Sequence, residues 1–331
     1  MEKDKKEREG GKRDLHEKTL EAHNDVFADI INATLFDGRP EVSENELRDA
    51  SVSSAYWGNG KIRGQNRDVA KYWSKGEART ARFGLENQTD PDPEMPFRTI
   101  GYDGASYRDQ LYFIKGKRGK RRINRNSRYP VVTLVLYFGY KRRWTGPRRL
   151  TEALRNVPEG LKPFVNDYET RVMEVAWMSD EQLEKFTSDF RIVADFFVQM
   201  RKNGRYVPVK REMIHVSETL GLLSAITGDK RFEGTMELEE GEEEPKTMCE
   251  VLDRIENRGI RKGRREGRQE GIREGRQEGM REGRREGERQ GRVVEYVALR
   301  REDGYGVETI IQGLMKRFQL TNEQAAEYVS K

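Results

Sequence analysis

The chain has 331 residues, of which 37% are charged and 34% are apolar, and its formal net charge is +5. No apolar run approaches the roughly twenty residues that span a bilayer, and the N-terminus lacks the apolar centre of a signal peptide. A single cysteine, Cys249, excludes disulfides and Cys-ligated zinc. We therefore expect a soluble, cytoplasmic protein without a membrane partner, whose basic charge permits a polyanionic one.

The first predicted element is a helix in which apolar residues recur at helical spacing from Val26 to Leu35. Asn24 or Asp25 is its predicted N-cap, and Asp37 with Gly38 ends it.

A second, acidic helix is predicted to begin at Ser43. Ser43 and Glu46 have the spacing of a capping box.

The next elements alternate in type. Residues 79–89 are typical of a strand with Gly84 inside it, residues 97–114 of a helix, and residues 131–138 of a strand buried on both faces, as in a parallel or mixed sheet. The order helix, strand, helix, strand predicts an α/β core.

The following region is mainly helical in pattern. Ser179 and Gln182 form a capping box before apolar residues at a three-four spacing up to Met200, and residues 212–226 predict another helix. Thr321 and Gln324 form a third capping box near the end of the chain.

Composition changes abruptly after this region, and glycine then recurs every fourth residue from Gly259 to Gly291. We predict six segments: a charged N-terminal tail (1–22), an α/β core (23–144), a helical extension packed on it (145–235), an acidic linker (236–257), a GxxxG-repeat helix or tether (258–292) and a C-terminal helical segment (293–331).

The glycine repeat leaves two alternatives open. Glycine at every fourth position lets a second helix backbone approach closely, so the segment could be a long helix that self-associates. It could equally be a polar tether that frays, because each glycine costs a helix roughly 1 kcal/mol.

Candidate chemistry lies between residues 67 and 110. Glu86 and Gln88 lie two apart on the predicted strand, so their side chains share a face, and a hairpin could bring Asp68 alongside. Two carboxylates that converge at strand edges suit a hard divalent cation such as Mg²⁺. The three histidines, His16, His23 and His215, show no metal-ligand spacing.

Ordinary structural roles remain open for the same residues. Glu86 could pair with Arg82 on its own strand, and Asp68 could cap a helix beginning at Val69.

Five segments resemble, in order, the recombination-promoting nuclease (Rpn) or transposase family of the PD-(D/E)XK nuclease superfamily. They are FADIINATLFDG, RDVAKYW, ARFGLENQTDPDPEMPFRTIGYDGASYRDQL, YPVVTLVLYFG and VNDYETRVMEV, and the resemblance covers most of residues 23–235. It implies a restriction-endonuclease-like core, a mixed central sheet flanked by helices, followed here by the helical region and the Gly-periodic C-terminal helix. It also implies a Mg²⁺-dependent DNA endonuclease that acts in recombination or transposition.

By this resemblance Asp68 and Glu86 bind Mg²⁺, and Gln88 completes the catalytic set by positioning water. Related nucleases usually carry Lys where this chain has Gln88, although Gln is common in the family. A neutral amide can orient water but cannot stabilise a phosphorane by charge. A catalytically inactive DNA-binding or self-associating protein that retains the fold is therefore the alternative function, and a purely structural role without nucleic acid is a third.

Two groups of residues are candidates for contacting DNA. Arg98 and Tyr102 lie on the predicted helix that follows the strand, where they could contact phosphate. Alternatively, Tyr102 could be a packed residue and Arg98 could form a surface ion pair. Residues 115–128 contain eight Lys or Arg and no acid, which is typical either of a phosphate-backbone clamp or of a solvated loop. The residues of this stretch that are candidates for contacting DNA are Lys117, Arg118, Lys120, Arg121 and Arg122.

Overall fold

A computed structural model describes residues 20–58, 61–111, 113–115, 121–123, 128–238 and 243–330. The chain divides into two compact units, Met1–Ile255 and Glu256–Lys331. Among the described residues, no helix combines the length and apolar character that crossing a membrane requires.

Five of the described strands form one mixed sheet in the first unit, in the order β1-β4-β5-β8-β9. β4 runs antiparallel to β1 and β5, whereas β8 runs parallel to both β5 and β9. The predicted buried strand at 131–138 is confirmed as β8, because a strand with parallel neighbours on both sides is covered on both faces. The described strands are β1 Leu47–Asp49, β2 Ser53–Gly58, β3 Lys61–Asn66, β4 Val69–Lys75, β5 Ala78–Gln88, β6 Phe113–Lys115, β7 Arg121–Ile123, β8 Val131–Tyr137 and β9 Arg171–Glu174.

Along the chain, the described helices of the first unit lie before, between and after these strands. They are α1 Asn24–Leu35, α2 Met95–Arg108, α3 Leu150–Ala153, α4 Asp180–Glu184, α5 Phe190–Asn203, α6 Val216–Thr227 and α7 Arg231–Gly234, followed by the start of α8 Met248–Glu302. The main core lies on the sheet face that carries Phe83 and Leu85 of β5, against α1, α5 and α6. Helix α2 covers the opposite face, where Met95 packs with Val135 and Tyr137 of β8.

Helix α1 confirms the first prediction, including its end, where Asp37 and Gly38 take left-handed φ angles of 58° and 81°. The predicted N-cap is wrong. His23 occupies the N-cap position with an extended backbone, and the Asn24 side chain instead donates to the carbonyl of Glu44 at 3.1 Å.

The acidic helix predicted from Ser43 is also wrong. Ser43 makes no side-chain cap, and a short 3-10 turn, Glu44–Glu46, leads directly into β1. Tertiary contacts override the capping-box pattern, because Leu47 is fully buried in the core and Trp73 Nε1 donates to Glu46 Oε2 at 2.8 Å.

The helix predicted at residues 97–114 is shorter than expected. It forms as α2, Met95–Arg108, and β6 then begins at Phe113. A buried network fixes α2 to the sheet, because Asp103 accepts hydrogen bonds from Arg67 at 2.5 Å, from Thr133 at 2.6 Å, and from Tyr168.

The long core-facing helix predicted after Ser179 is divided into α4 and α5. The capping box is confirmed, since Gln182 N donates to Ser179 Oγ and Ser179 N to Gln182 Oε1. The division occurs because the Asp29 carboxylate of α1 accepts hydrogen bonds from the backbone amides and hydroxyls of Thr187 and Ser188, 158 and 159 residues away. The second predicted helix of this region is confirmed as α6.

One strand of the sheet comes from the region predicted as a helical extension. β9 pairs with β8 from Leu134↔Arg171 to Tyr137↔Glu174, so that region contributes directly to the α/β core. Met248 and Val251, at the start of α8, are also buried in this core.

The second unit contains the later part of α8, α9 Val307–Phe318 and α10 Asn322–Ser330. Its small core includes Val293, Leu314 and Val329. The Thr321/Gln324 capping box is confirmed by reciprocal hydrogen bonds of 3.0 and 3.3 Å. The periodic glycines are helical, and a Cβ added at any of them from Gly259 to Gly291 would meet nothing within 4 Å among the described residues.

Candidate active site and a histidine cluster

The hairpin of β4 and β5 determines where Asp68 and Glu86 lie. The last pair in its register is Val69↔Leu85, so continuing the antiparallel pairing by one residue brings Asp68 opposite Glu86. The Asn87 amide donates to Asp68 Oδ2 at 2.6 Å, which holds this carboxylate against β5. The alternative in which Asp68 caps a helix is wrong, because Val69 begins a strand.

Glu86 is buried, with 1% of its surface exposed, on the sheet face that α2 covers. Its Oε1 accepts a hydrogen bond from Arg98 of α2 and lies 3.5 Å from the Tyr102 hydroxyl. Within the part of the chain that the structure describes, Glu86 Oε2 accepts no hydrogen bond. A buried carboxylate oxygen without a hydrogen-bond partner is costly unless something compensates it, so this atom is the natural place for a cation or an ordered water.

Arg98 contacts two carboxylates. Besides Glu86, its Nη1 donates to Asp92 Oδ2 at 2.8 Å, and 34% of its side chain is exposed. Arg98 therefore forms an ion pair, as the alternative held, and part of its side chain is exposed to solvent. The alternative in which Glu86 pairs with Arg82 is wrong, since Arg82 Nη1 lies 3.8 Å from Asp109 Oδ2 and Arg82 Nη2 donates to the Ser51 carbonyl.

Tyr102 is a buried polar member of this site, with 3% of its surface exposed. Its hydroxyl donates to the Asn66 carbonyl at 2.8 Å and accepts from Arg98 at 3.2 Å. Burial raises the pKa of the phenol above its usual value, the Arg98 charge opposes this, and the Asp68 charge adds to it. The phenol therefore stays neutral near the two carboxylates at physiological pH.

The two residues that follow Glu86 on β5 point to opposite faces of the sheet. Gln88 shares the face of Glu86 and is half-buried. Asn87 points to the opposite face, where its amide donates to Glu21 Oε2 at 2.8 Å. Sequence reasoning missed Glu21, a fully buried acid in the helical turn before α1, because it assigned residues 1–22 to a charged N-terminal tail. The signal was Leu20, which lies at helical spacing from Phe27.

The predicted basic clamp is only partly described. Lys117, Arg118 and Lys120 lie outside the described residues, and for Arg121 and Arg122 the structure gives the backbone of β7, which pairs with β6. The proposed contact of these five residues with DNA stays a prediction.

The donors at this site fit a magnesium ion. Asp68 and Glu86 offer the hard oxygen ligands that Mg²⁺ takes, usually from one or two carboxylates with waters completing the shell. Glu86 Oε2 is buried and accepts no described hydrogen bond, which is the state of an atom that can accept a cation. Arg98 is the competing positive charge on the same carboxylate.

A second group of possible ligands combines residues that the sequence pattern did not connect. His23 and His215 stack with their ring centroids 3.8 Å apart, and Asp25 lies beside them. No short ligand motif could have revealed this group, because Asp25 and His215 are 190 residues apart.

The chain was compared with models of known protein families, with curated proteins and with solved structures. None of the three comparisons gave a match.

Proposed function

We propose that this chain is a Mg²⁺-dependent DNA endonuclease that hydrolyses phosphodiester bonds during recombination or transposition. The observation that carries the proposal is the β4–β5 register, which brings Asp68 beside Glu86. The ordered resemblance to the Rpn family supports it, as does a mixed five-stranded sheet with helices on both faces, which is compatible with a restriction-endonuclease-like core.

Each residue has a distinct part in the proposed reaction. Asp68 and Glu86 would hold magnesium, which when bound acidifies water and neutralises charge on the phosphorane. The Gln88 amide orients the attacking water by hydrogen bonds, without contributing charge. Arg98, partly exposed and already bonded to Glu86, is placed to donate to a phosphate oxygen from its exposed side.

A plasmid-nicking assay of the full chain tests this proposal. Asp68→Asn and Glu86→Gln should each lower the nicking rate by roughly 100-fold or more, because each removes a charged group that acts on the transition state. Asp90→Asn is a matched control, since Asp90 is exposed and pairs with Arg142, and it should nick like the wild type.

Two results would contradict catalysis. They are failure of the wild type to nick in Mg²⁺ over a wide protein range, and equal nicking by Asp68→Asn when circular dichroism shows an unchanged fold.

The second candidate is a DNA-binding or self-associating protein that retains the fold without cleaving. The ion pair of Arg98 with Glu86 favours it, because it gives the buried carboxylate a positive partner without any metal. This candidate predicts salt-sensitive retention of DNA on filters, equal with and without Mg²⁺, and no nicking. The purely structural alternative predicts no salt-dependent affinity for DNA.

Self-association through α8 is part of either proposal. The glycines of its repeat are exposed, and at the third position after each glycine from Gly263 to Gly283 stands a glutamate. Like charges at i,i+4 repel along one helix, whereas a second copy could bring its arginines against them.

A further inference from the structure

His23, Asp25 and His215 form a compact group of ligand atoms at the starts of two helices. One ligand atom from each residue lies within 4.8 Å of those of the other two, and among the described residues this is the group of three or more His, Cys, Asp or Glu side chains that could hold a metal. His215 Nε2 lies 2.9 Å from Asp25 Oδ2, and His23 Nε2 lies 3.7 Å from Glu218 Oε1.

Two helix starts hold this cluster in place. His23 and Asp25 flank the first residue of α1, and His215 and Glu218 occupy the N-cap and the first turn of α6. Asp189 fixes the backbone at the start of α6, because its Oδ2 accepts hydrogen bonds from the amides of Ile214 and His215 at 2.8 and 2.6 Å. The backbone at His215 is therefore fixed by contacts that do not involve its ring nitrogens.

The spacing suits a tetrahedral ion. With zinc bonds of about 2.0–2.1 Å, neighbouring ligand atoms in a tetrahedron lie about 3.3 Å apart. His215 Nε2 and Asp25 Oδ2 lie 2.9 Å apart, close to that value. The stacked rings of His23 and His215 turn slightly when both direct a nitrogen at one ion. The four side chains are 16% to 35% exposed, so they can adjust and an ion can enter from solvent.

The donor types favour zinc over magnesium. Two imidazole nitrogens with carboxylate oxygens suit Zn²⁺, whereas Mg²⁺ prefers oxygen ligands and water. From this geometry we propose that His23, Asp25 and His215 hold a zinc ion, with water as the fourth ligand and Glu218 beside His23.

Such an ion would connect the start of α1 to the start of α6. The ligands Asp25 and His215 close a loop of 190 residues, so binding to the folded chain alone shifts the unfolding equilibrium toward the native state. The zinc site is separate from the proposed nuclease site in both residues and metal.

Titration of metal-stripped full chain with ZnCl₂ tests the site. We expect one zinc per chain and, at free zinc about 100-fold above the Kd, a rise in Tm of roughly 5–10 °C. His23→Asn and His215→Asn should each weaken zinc binding by more than about 100-fold, since even outer-shell changes cost roughly 10–100-fold. Substituted Co²⁺ should show the visible absorption of a tetrahedral site in the wild type and lose it in both variants.

The third histidine of the chain provides the matched control. His16→Asn removes an imidazole outside the described residues, and it should keep both the affinity and the Tm rise. Unfolding of each variant in EDTA separates lost binding from lost folding, because a variant that melts like the metal-free wild type is folded.

Three outcomes would overturn the site: absence of zinc binding to the wild type, wild-type affinity in both His23→Asn and His215→Asn, or an equal loss in His16→Asn. Asp68→Asn should bind zinc normally whether or not it nicks DNA. Failure of the zinc site and failure of the nuclease proposal are therefore distinguishable.

Discussion

Gly84, inside β5, is explained by the side chain that crosses above it. A Cβ at this position would lie 2.8 Å from Arg67 Cδ, and Arg67 is buried, with its guanidinium bonded to Asp103 at 2.5 Å. Burial lowers the pKa of Arg67, and the Asp103 charge opposes that shift. The glycine thus makes room for the ion pair that fastens α2, and with it Arg98 and Tyr102, over Glu86.

Gly84→Ala should lower the free energy of unfolding by about 1–3 kcal/mol, because overpacking displaces a buried side chain. Urea unfolding followed by tryptophan fluorescence measures this change. Gly104→Ala is the control, since nothing described lies within 4 Å of its added Cβ, and alanine should stabilise α2 by up to about 1 kcal/mol. If the Gly84 variant is as stable as the wild type, Arg67 is not fixed by this contact.

The approach of Asp68 to Glu86 could be predicted from the sequence alone, but the surroundings of these two carboxylates could not. Glu86 and Gln88 are adjacent on one face by strand alternation, and Asp68 needed only a hairpin. The Arg98 contact and the buried Glu21 depend on how a helix docks on the sheet. The histidine cluster depends on a distance between residues 190 positions apart, for which short-range spacing carries no signal.

At the scale of elements, α5 contains a carboxylate whose burial makes stability depend on pH. Asp195 is half-buried and accepts a hydrogen bond from Gln199 at 2.9 Å. Burial raises the pKa of Asp195, while Gln199 and the charges of Arg191 and Lys202 oppose the rise. The Asp195 carboxyl thus stays protonated to a higher pH in the native state than in the unfolded chain, where the pKa of Asp is about 3.9.

Protonated Asp195 contributes its full stability below the unfolded-state pKa of about 3.9. This contribution is lost as pH rises through the native pKa of Asp195. Asp195→Asn remains neutral, so it should melt about 2 °C above the wild type at pH 7 and equal it near pH 3. Calorimetry at both pH values measures the difference.

Asp180→Asn is a control of opposite sign. A hydrogen bond from Lys202 lowers the pKa of Asp180, so its contribution is present above the unfolded pKa and is lost as pH falls. This variant should be slightly less stable than the wild type at pH 7. A pH-independent gain in the Asp195 variant would show that packing, not charge, is responsible.

Elements with strong local patterns were predictable, whereas those determined by distant contacts were not. Helix α1, β5 and β8 follow their apolar periodicity. The turn at Glu44–Glu46 and the interruption at Thr187 instead arise where Leu47 is buried and where Asp29 captures backbone amides. A capping box predicted a helix start correctly at Ser179, where no such competing contact exists in the described structure.

At the scale of the whole molecule, the repeat of α8 is costly for an isolated helix. Nine glycines each disfavour the helix by roughly 1 kcal/mol, and the aligned glutamates repel one another. The described ion pairs within the repeat are few and exposed, such as Lys262 with Glu266 at 3.9 Å, and exposed pairs of this kind contribute little.

Replacing Gly267, Gly271 and Gly275 by alanine separates helix formation from association. Each substitution should stabilise the helix by roughly 1 kcal/mol and so raise helicity. Together they should weaken self-association by about tenfold or more, because the added methyl groups keep a second backbone from approaching closely. Circular dichroism and analytical ultracentrifugation measure the two effects. Gln269→Ala with Gln277→Ala is the control off the glycine line, and association unchanged in the glycine variant would contradict the self-association proposal.

The burial of Met248 and Val251 has a consequence for synthesis on the ribosome. The first unit draws on residues from Leu20 to Val251 for one core, so this core cannot be completed until the beginning of α8 has been translated and released. Until then the nascent chain exposes apolar surface that Met248 and Val251 later cover, and it is then a natural client for chaperones.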